Sequence, residues 1–373
     1  MRVLLVHHIH LISETQYTIG AVEYHRMYKP HHVLNKLHPE YDYSTANSIH
    51  EMSDDELKKF NLILFCRVIN RPDETKERLN KLGIKFGLDL DDYWHLDKFH
   101  ILYESYQNNN TPALIVKSIA ASHFVICTTL ILADKIKPLN KNVYVIENGI
   151  DTSDDTWKPK RTYSDRVRFG FTQGSTHQED IGSIAADVAF SINESAFYHN
   201  GQVVLCGYEG KHTVSVAYEK LLTRNFKPLQ RFHMDYVLDL MSESKKELRT
   251  DLCYRRIWRT DIDTFGNVYN EFDISVAPLL DTEFNNCKSN LKMLEAGFKG
   301  CAVMVSEVNP YTPLATKENS FLLSEKSFKG WQRYILSNPE IIKEKSHYLS
   351  RDIRPYSLQN LTTKRKQIYD QLT

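Results

Sequence analysis

The chain has 373 residues, 42% hydrophobic and 25% charged, enough apolar material for two buried cores, and its 47 basic residues balance 47 acidic ones. A zero net charge without a long basic run lacks the electrostatic footprint of a nucleic-acid binder, so nucleic acid is not expected as a partner. No stretch approaches the ~20 apolar residues of a spanning helix, the N-terminus has no long apolar leader, and any membrane contact is expected to be peripheral. The six cysteines (Cys66, Cys127, Cys206, Cys253, Cys287 and Cys301) are widely scattered, several in apolar runs, as buried thiols of a cytoplasmic protein would be.

Residues 1–8, MRVLLVHH, form the short apolar run of a central parallel strand. A polar segment and a loop containing Gly20 lead into a helix carrying Tyr24, Met27, Tyr28, His31 and Leu34. Its basic cluster (His25, Arg26, Lys29, His31, His32, Lys36) is either a solvated helix face or a surface for anionic lipid, and Pro30 is a place for a kink. A buried strand (61–67, NLILFCR), a charged helix (73–82) and a strand (84–90) follow, the last running into Asp91-Asp92. Strand ends are where open α/β sheets hold ligands, which makes Asp91, Asp92 and His95 cleft candidates. The Asp-x-Asp string there is short and commonplace, and no metal is expected on it. Strands at 123–128 and 142–146 flank a further helix, and 151–165 has the Ser, Pro and charged composition of a linker.

The second half opens with a strand (167–172, VRFGFT) entering Gln173-Gly174-Ser175-Thr176-His177. Thr176 and Glu179 have capping-box spacing, predicting a helix from Thr176, and Gly174 allows the backbone to approach a ligand. Strands at 202–206 and 253–258 place Tyr208, Trp258 and Arg259 nearest to a nucleobase pocket, although aromatic residues here suit a core equally well. After a buried strand (272–278) comes NNCKSNLKMLEAGFKGCAVMVSEVNPY, residues 285–311. Ser289 is a plausible N-cap of a helix whose stripe Leu291, Leu294 and Phe298 faces a core. The free N–H groups of Ser289, Asn290 and Leu291, with Lys288 beside them, form a ready site for a phosphate. Glu295, further along, could accept hydrogen bonds from two neighbouring hydroxyls such as those of a ribose; on spacing alone, Lys288, Lys292, Glu295 and Lys299 equally describe a solvated charged face. Helical spacing returns at 331–336 and from 352 to the end.

The string CKSNLKMLEAG, followed by a strand and SEVNPY, resembles the donor-binding signature of GT-B glycosyltransferases of the family-4 type. In that family the helix start holds the nucleoside diphosphate and a glutamate along it holds the ribose, which would be Glu295. Many members carry another glutamate eight residues earlier, where this chain has Cys287. Gly174-Ser175-Thr176-His177 resembles the family's Gly-Ser-x-Thr-His loop facing the donor phosphates and sugar, the Gly20 loop resembles the one facing the cleft, and Asp91-Asp92 would lie on the acceptor side. The Asn148-Gly149-Ile150-Asp151 passage resembles the one that ends the first domain, and the last helix the one that returns to it.

The resemblance implies an α/β GT-B fold, two Rossmann-like doubly wound domains facing a central cleft: residues 1–155 joined by 352–373, and residues 166–350. It implies transfer of a sugar from a nucleotide sugar, of the UDP or GDP kind, to a saccharide or lipid-linked hydroxyl, with retention and with no cofactor or metal. Lys288, His177, Asp91 and Asp92 are the catalytic candidates. Gly174, Ser175, Thr176, Lys288, Ser289, Asn290, Leu291 and Glu295 are the donor-binding ones. A non-catalytic binder of nucleotide sugars or glycans and a sugar-nucleotide epimerase are the alternatives on the same fold.

Overall fold

Short apolar runs separated by helices fold into two parallel six-stranded sheets, as expected when both faces of each strand are covered. The structure, a computed structural model, describes residues 1–7, 9–13, 16–208, 213–224 and 253–372; His8, placed in the first strand above, and the side chain of Ser175 lie outside them.

The first sheet contains β1 (Arg2–Val6), β4 (Asp42–Ala46), β5 (Leu62–Cys66), β6 (Lys85–Leu90), β7 (Phe124–Cys127) and β8 (Val143–Val145), in the order β4-β1-β5-β6-β7-β8. Between β1 and β4 lies an antiparallel pair, β2 (Ile9–Ser13) and β3 (Gln16–Ile19), in the segment read from sequence as merely polar. The second sheet contains β9 (Val167–Phe171), β10 (Gly201–Tyr208), β11 (Tyr254–Trp258), β12 (Ile274–Ala277), β13 (Ala302–Val305) and β14 (Ser320–Leu322), in the order β11-β10-β9-β12-β13-β14. Chain order therefore reverses between β1 and β5 in one sheet and between β9 and β12 in the other. These switch points leave crevices outside the strand ends.

The segment after Gly20 is a π-helical turn, Glu23–Tyr28, continuing as the α-helix Lys29–Leu37 with Pro30 in its first turn, so the change of helix type falls beside the proline. The last helix, Leu358–Leu372, packs against Lys29–Leu37, where Tyr369 OH donates to His31 Nε2 at 2.7 Å. Its entry is fixed by backbone bonds from Ile150 N to Tyr356 O (3.1 Å) and from Leu358 N to Ile150 O (2.8 Å), so the two passages between the sheets run side by side.

Two helix starts differ from the sequence reading. The helix after β9 is Gln178–Ile192, preceded by a 3-10 turn at Ser175–His177, and no side chain caps it; the Thr176–Glu179 capping box does not form. The later helix is Leu291–Phe298 with Asn290, not Ser289, at the N-cap. At the first, a tertiary bond from His177 N to Tyr218 OH holds the turn; at the second, the Ser289 hydroxyl is engaged by Asn148.

Candidate active site in the cleft

The second switch point is tied together by polar side chains. Gln173, just past β9, donates through Nε2 to Pro278 O, just past β12, at 2.8 Å. Gly174 follows with φ −70 and ψ 176, and the direction in which a Cβ would project is open, with nothing within 4 Å. Tyr218 OH holds the loop from beneath, donating to Gly174 O at 2.8 Å and accepting from His177 N at 3.0 Å. His177 Nδ1 lies 2.7 Å from Asp180 Oδ2, while Asp180 Oδ1 accepts from Leu280 N and Asn285 Nδ2, both at 2.8 Å. Burial, with Lys288 nearby, lowers the His177 pKa. Burial alone would raise the Asp180 carboxyl, but His177, the Leu280 N–H and Lys288 reverse it. A neutral His177 donating from Nδ1 leaves Nε2 as an acceptor.

Lys288 comes next, its Nζ 4.5 Å from the centroid of Phe284 and 4.0 Å from Asp92 Oδ1, which belongs to the opposite wall of the cleft. Asp91 and Asp92 share Arg67, at 3.4 Å (Nε to Asp91 Oδ1) and 4.0 Å (Nη2 to Asp92 Oδ2), and Arg67 also donates to Tyr106 OH at 3.3 Å. Arg67 has φ 63, a left-handed conformation costly for a long side chain and typical of sites where function fixes the backbone. The two neighbouring carboxyls are driven apart. Burial pushes Asp91 up despite Arg67, whereas for Asp92 burial is outweighed by Lys288 and Arg67 and the carboxyl is held down. Arg67 also lines a cavity of about 440 Å³ at the first switch point, with Glu23, His7, Asn47, Ser48 and Tyr106 as its polar wall and Val6, Ile49 and Phe65 among its apolar lining.

Along the Leu291–Phe298 helix, the first intrahelical bond runs from Met293 N to Asn290 O (2.9 Å), so the preceding N–H groups are not used by the helix. Ser289 Oγ instead accepts from Asn148 Nδ2 at 2.7 Å, across the cleft. Glu295 is 1% exposed: its Oε2 accepts from Tyr269 OH (2.6 Å) and Lys292 Nζ (2.8 Å), and its Oε1 lies 3.7 Å from His25 Nε2 of the opposite wall. It is thus not on a solvated charged face. Burial lowers the His25 pKa to about 4, so that ring is neutral.

No family model matches the sequence, and no curated protein matches it. The fold does match solved structures along their whole length. A glycosyltransferase from Rickettsia africae ESF-5 superposes with TM-score 0.61 at 10% identity, covering 100% of this chain and 98% of that one. Anabaena HepE in complex with UDP and glucose gives 0.59 at 11% identity with 100% of both chains, and an alpha-glucosyltransferase in complex with UDP-glucose and DNA containing an abasic site gives 0.60 at 9%, with 100% and 99%. The chain has the GT-B glycosyltransferase fold.

In this GT-B cleft, Lys288, His177 and Asp92 converge from both walls, Lys288 being close enough to lower the pKa of both His177 and Asp92, with Asp91 behind Asp92 on Arg67. Other sequence candidates stand apart. Tyr208 is 1% exposed, in edge contact with Trp258 and beneath the Arg256 guanidinium, so it is a core side chain and not a pocket wall; Arg259 is exposed. His95 is exposed against Tyr93. At Gly20 a Cβ would meet the end of the Glu23 side chain. The basic cluster does not form one exposed face: His25, Arg26 and His31 are buried, Lys29 pairs with Asp154 at 2.6 Å, and His32 and Lys36 are exposed. Cys287 is fully buried within the apolar cluster of the first sheet, with its carbonyl accepting from Thr129 Oγ1 at 3.2 Å, so it joins the walls and presents no thiol to the cleft. Among the described residues no helix is long and apolar enough to cross a membrane. The sequence reading did not single out Arg67, Glu23, Asp180 and Tyr269, which carry no motif of their own.

Proposed function

We propose that the chain is a retaining glycosyltransferase that moves a sugar from a nucleoside-diphosphate sugar to a hydroxyl of a saccharide or lipid-linked acceptor. The observation that carries this reading is the meeting of Lys288, the open N–H groups before Met293, His177 and the open face of Gly174 at one place in the cleft, opposite Asp91 and Asp92. Departure of the nucleotide puts negative charge on its outer phosphate. Lys288 and the helix-start N–H groups supply fixed positive partners for that charge without a metal. With front-side attack the departing phosphate oxygen takes the acceptor proton as the glycosidic bond forms, so a separate carboxylate base is not required.

Glu295 Oε1 is the carboxylate oxygen left for a ribose, and His25 lies over it, so donor entry requires the two walls to part. The cavity beside Arg67, Asp91 and Asp92 has a polar wall and an apolar floor that suit a saccharide acceptor. The UDP and UDP-glucose held by two of the structural neighbours make a uridine nucleotide the first donor to test.

Calorimetric titration of UDP, GDP, ADP and CDP, with and without Mg²⁺, tests the pocket. One nucleotide should bind without metal, and Glu295→Gln and Lys288→Ala should each weaken it by roughly tenfold or more, as loss of a charged hydrogen bond does. Binding that ignores both substitutions sinks the site. Slow release of free nucleoside diphosphate from the sugar nucleotide separates a transferase from a silent binder, and an isomerised sugar nucleotide would identify an epimerase.

A further inference from the structure

Asn148 lies in the passage after β8 and is 5% exposed, with both ends of its carboxamide engaged. Arg26 Nη1 donates to its Oδ1 at 3.1 Å, and its Nδ2 donates to Ser289 Oγ at 2.7 Å. The orientation of the amide follows from its partners: a guanidinium only donates, so the oxygen must face Arg26 and the nitrogen must face Ser289. Arg26 cannot turn away, because its Nε and Nη2 are on Asp89 Oδ1 (2.7 Å) and Oδ2 (3.3 Å) and its Nη1 also reaches Ile146 O (2.9 Å). Ser289 Oγ is thereby made an acceptor toward Asn148. Its own proton is left for another acceptor, at the point where the open N–H groups of the Leu291–Phe298 helix begin.

We propose that Asn148 is a positioning residue for the donor diphosphate. It sets the Ser289 hydroxyl as a donor toward a phosphate oxygen and ties that helix start across the cleft to the buried Arg26–Asp89 pair. This rests on the donor-site reading given above. Replacing the amide by a carboxylate reverses the polarity: Asn148→Asp would accept the Ser289 proton and withdraw it from the phosphate. The same change sets an anion beside Arg26, in a cluster where Arg26 and Arg365 share the single Asp89, so the fold should tolerate it.

The test is a double-mutant cycle on the full chain, titrating UDP and GDP into wild type, Asn148→Asp, Ser289→Ala and the double variant, with thermal unfolding of each. The expected result is an affinity loss of roughly tenfold or more for Asn148→Asp at an unchanged or higher melting temperature, with the double variant binding no worse than the weaker single one. In turnover the loss should appear in donor KM more than in melting behaviour. Affinity within twofold of wild type in Asn148→Asp, or losses that multiply in the double variant, overturns the proposal while leaving the donor site standing. Absence of UDP and GDP binding in wild type overturns the donor site, and this proposal with it. If Asn148→Asp does not fold, the same cycle with Asn148→Ala decides, since loss of the Nδ2 donor alone should weaken binding about fivefold and Ser289→Ala should mask it.

Discussion

Substitution of Asp89 by asparagine should be among the most damaging single changes in the chain. Asp89 is 1% exposed and stands between two equally buried guanidiniums, bonded to Arg26 at 2.7 and 3.3 Å and facing Arg365 Nη2 at 3.7 Å. Asp89→Asn leaves two buried cations without the carboxylate they are paired with, and removing one partner of a buried pair costs about 3–5 kcal/mol. Arg365→Met removes the surplus cation, keeps both Arg26–Asp89 bonds and loses a hydrogen bond to Tyr369 OH at 3.1 Å, a change of about 0.5–1.5 kcal/mol. Urea unfolding followed by tryptophan fluorescence should separate them. At a slope of about 2–3 kcal/mol/M the midpoint should fall by ~1–2.5 M for Asp89→Asn and by no more than ~0.8 M for Arg365→Met. Equal losses in the two variants, or a loss below about 1 kcal/mol for Asp89→Asn, would refute the idea that charge balance in this trio holds the last helix to the first sheet.

Gly174→Ala should leave unfolding unchanged or raise it by about 0.4–1 kcal/mol, because φ −70 and ψ 176 suit alanine and nothing lies within 4 Å of the new methyl. If a ligand fills that space, nucleotide affinity should fall by roughly 1–3 kcal/mol as the methyl intrudes, and calorimetry finding full affinity would show that no ligand approaches there. His25→Gln should alter how stability depends on pH. His25 is depressed from 6.5 to about 4 by burial, so its neutral form supports folding above pH 6.5 and that support is lost as the pH falls toward 4. The stability difference between wild type and variant should therefore shrink by about 2 kcal/mol between pH 6.5 and 5; parallel curves in urea titrations at the two pH values would exclude it.

Much of the fold could be read from residues whose information is local. The central strands announce themselves because they are buried on both faces, as in β1, β5 and β7. The edge strand β4 does not: its sequence DYSTA has only half its pattern turned inward, and a polar run gives no period to detect. The three-residue β14 and the β2–β3 pair are likewise short or polar. The Gly174 loop and the helix with Glu295 stand out in the sequence because a small-residue turn and a helix start are each written within a few positions.

What escaped the sequence lies in the partners that other segments supply. Ser289 reads as an N-cap because its hydroxyl could bond two residues on, yet Asn148, 141 positions away, takes that oxygen and Asn290 becomes the cap without a side-chain bond. Thr176 and Glu179 have the spacing of a capping box, but Tyr218 and the His177–Asp180 pair hold the turn instead and move the helix start to Gln178. The basic cluster around His25 and Arg26 looks like a surface until Asp89, Asn148 and Glu295 are brought against it; His25 and Arg26 then each have a buried partner from another segment. In each case the pairing suggested by local spacing gives way to another partner, across the cleft for Ser289, His25 and Arg26 and from a neighbouring helix of the same wall for the His177 turn. The distant partner wins where burial makes an unpaired group expensive, and no spacing rule within a single element registers that cost.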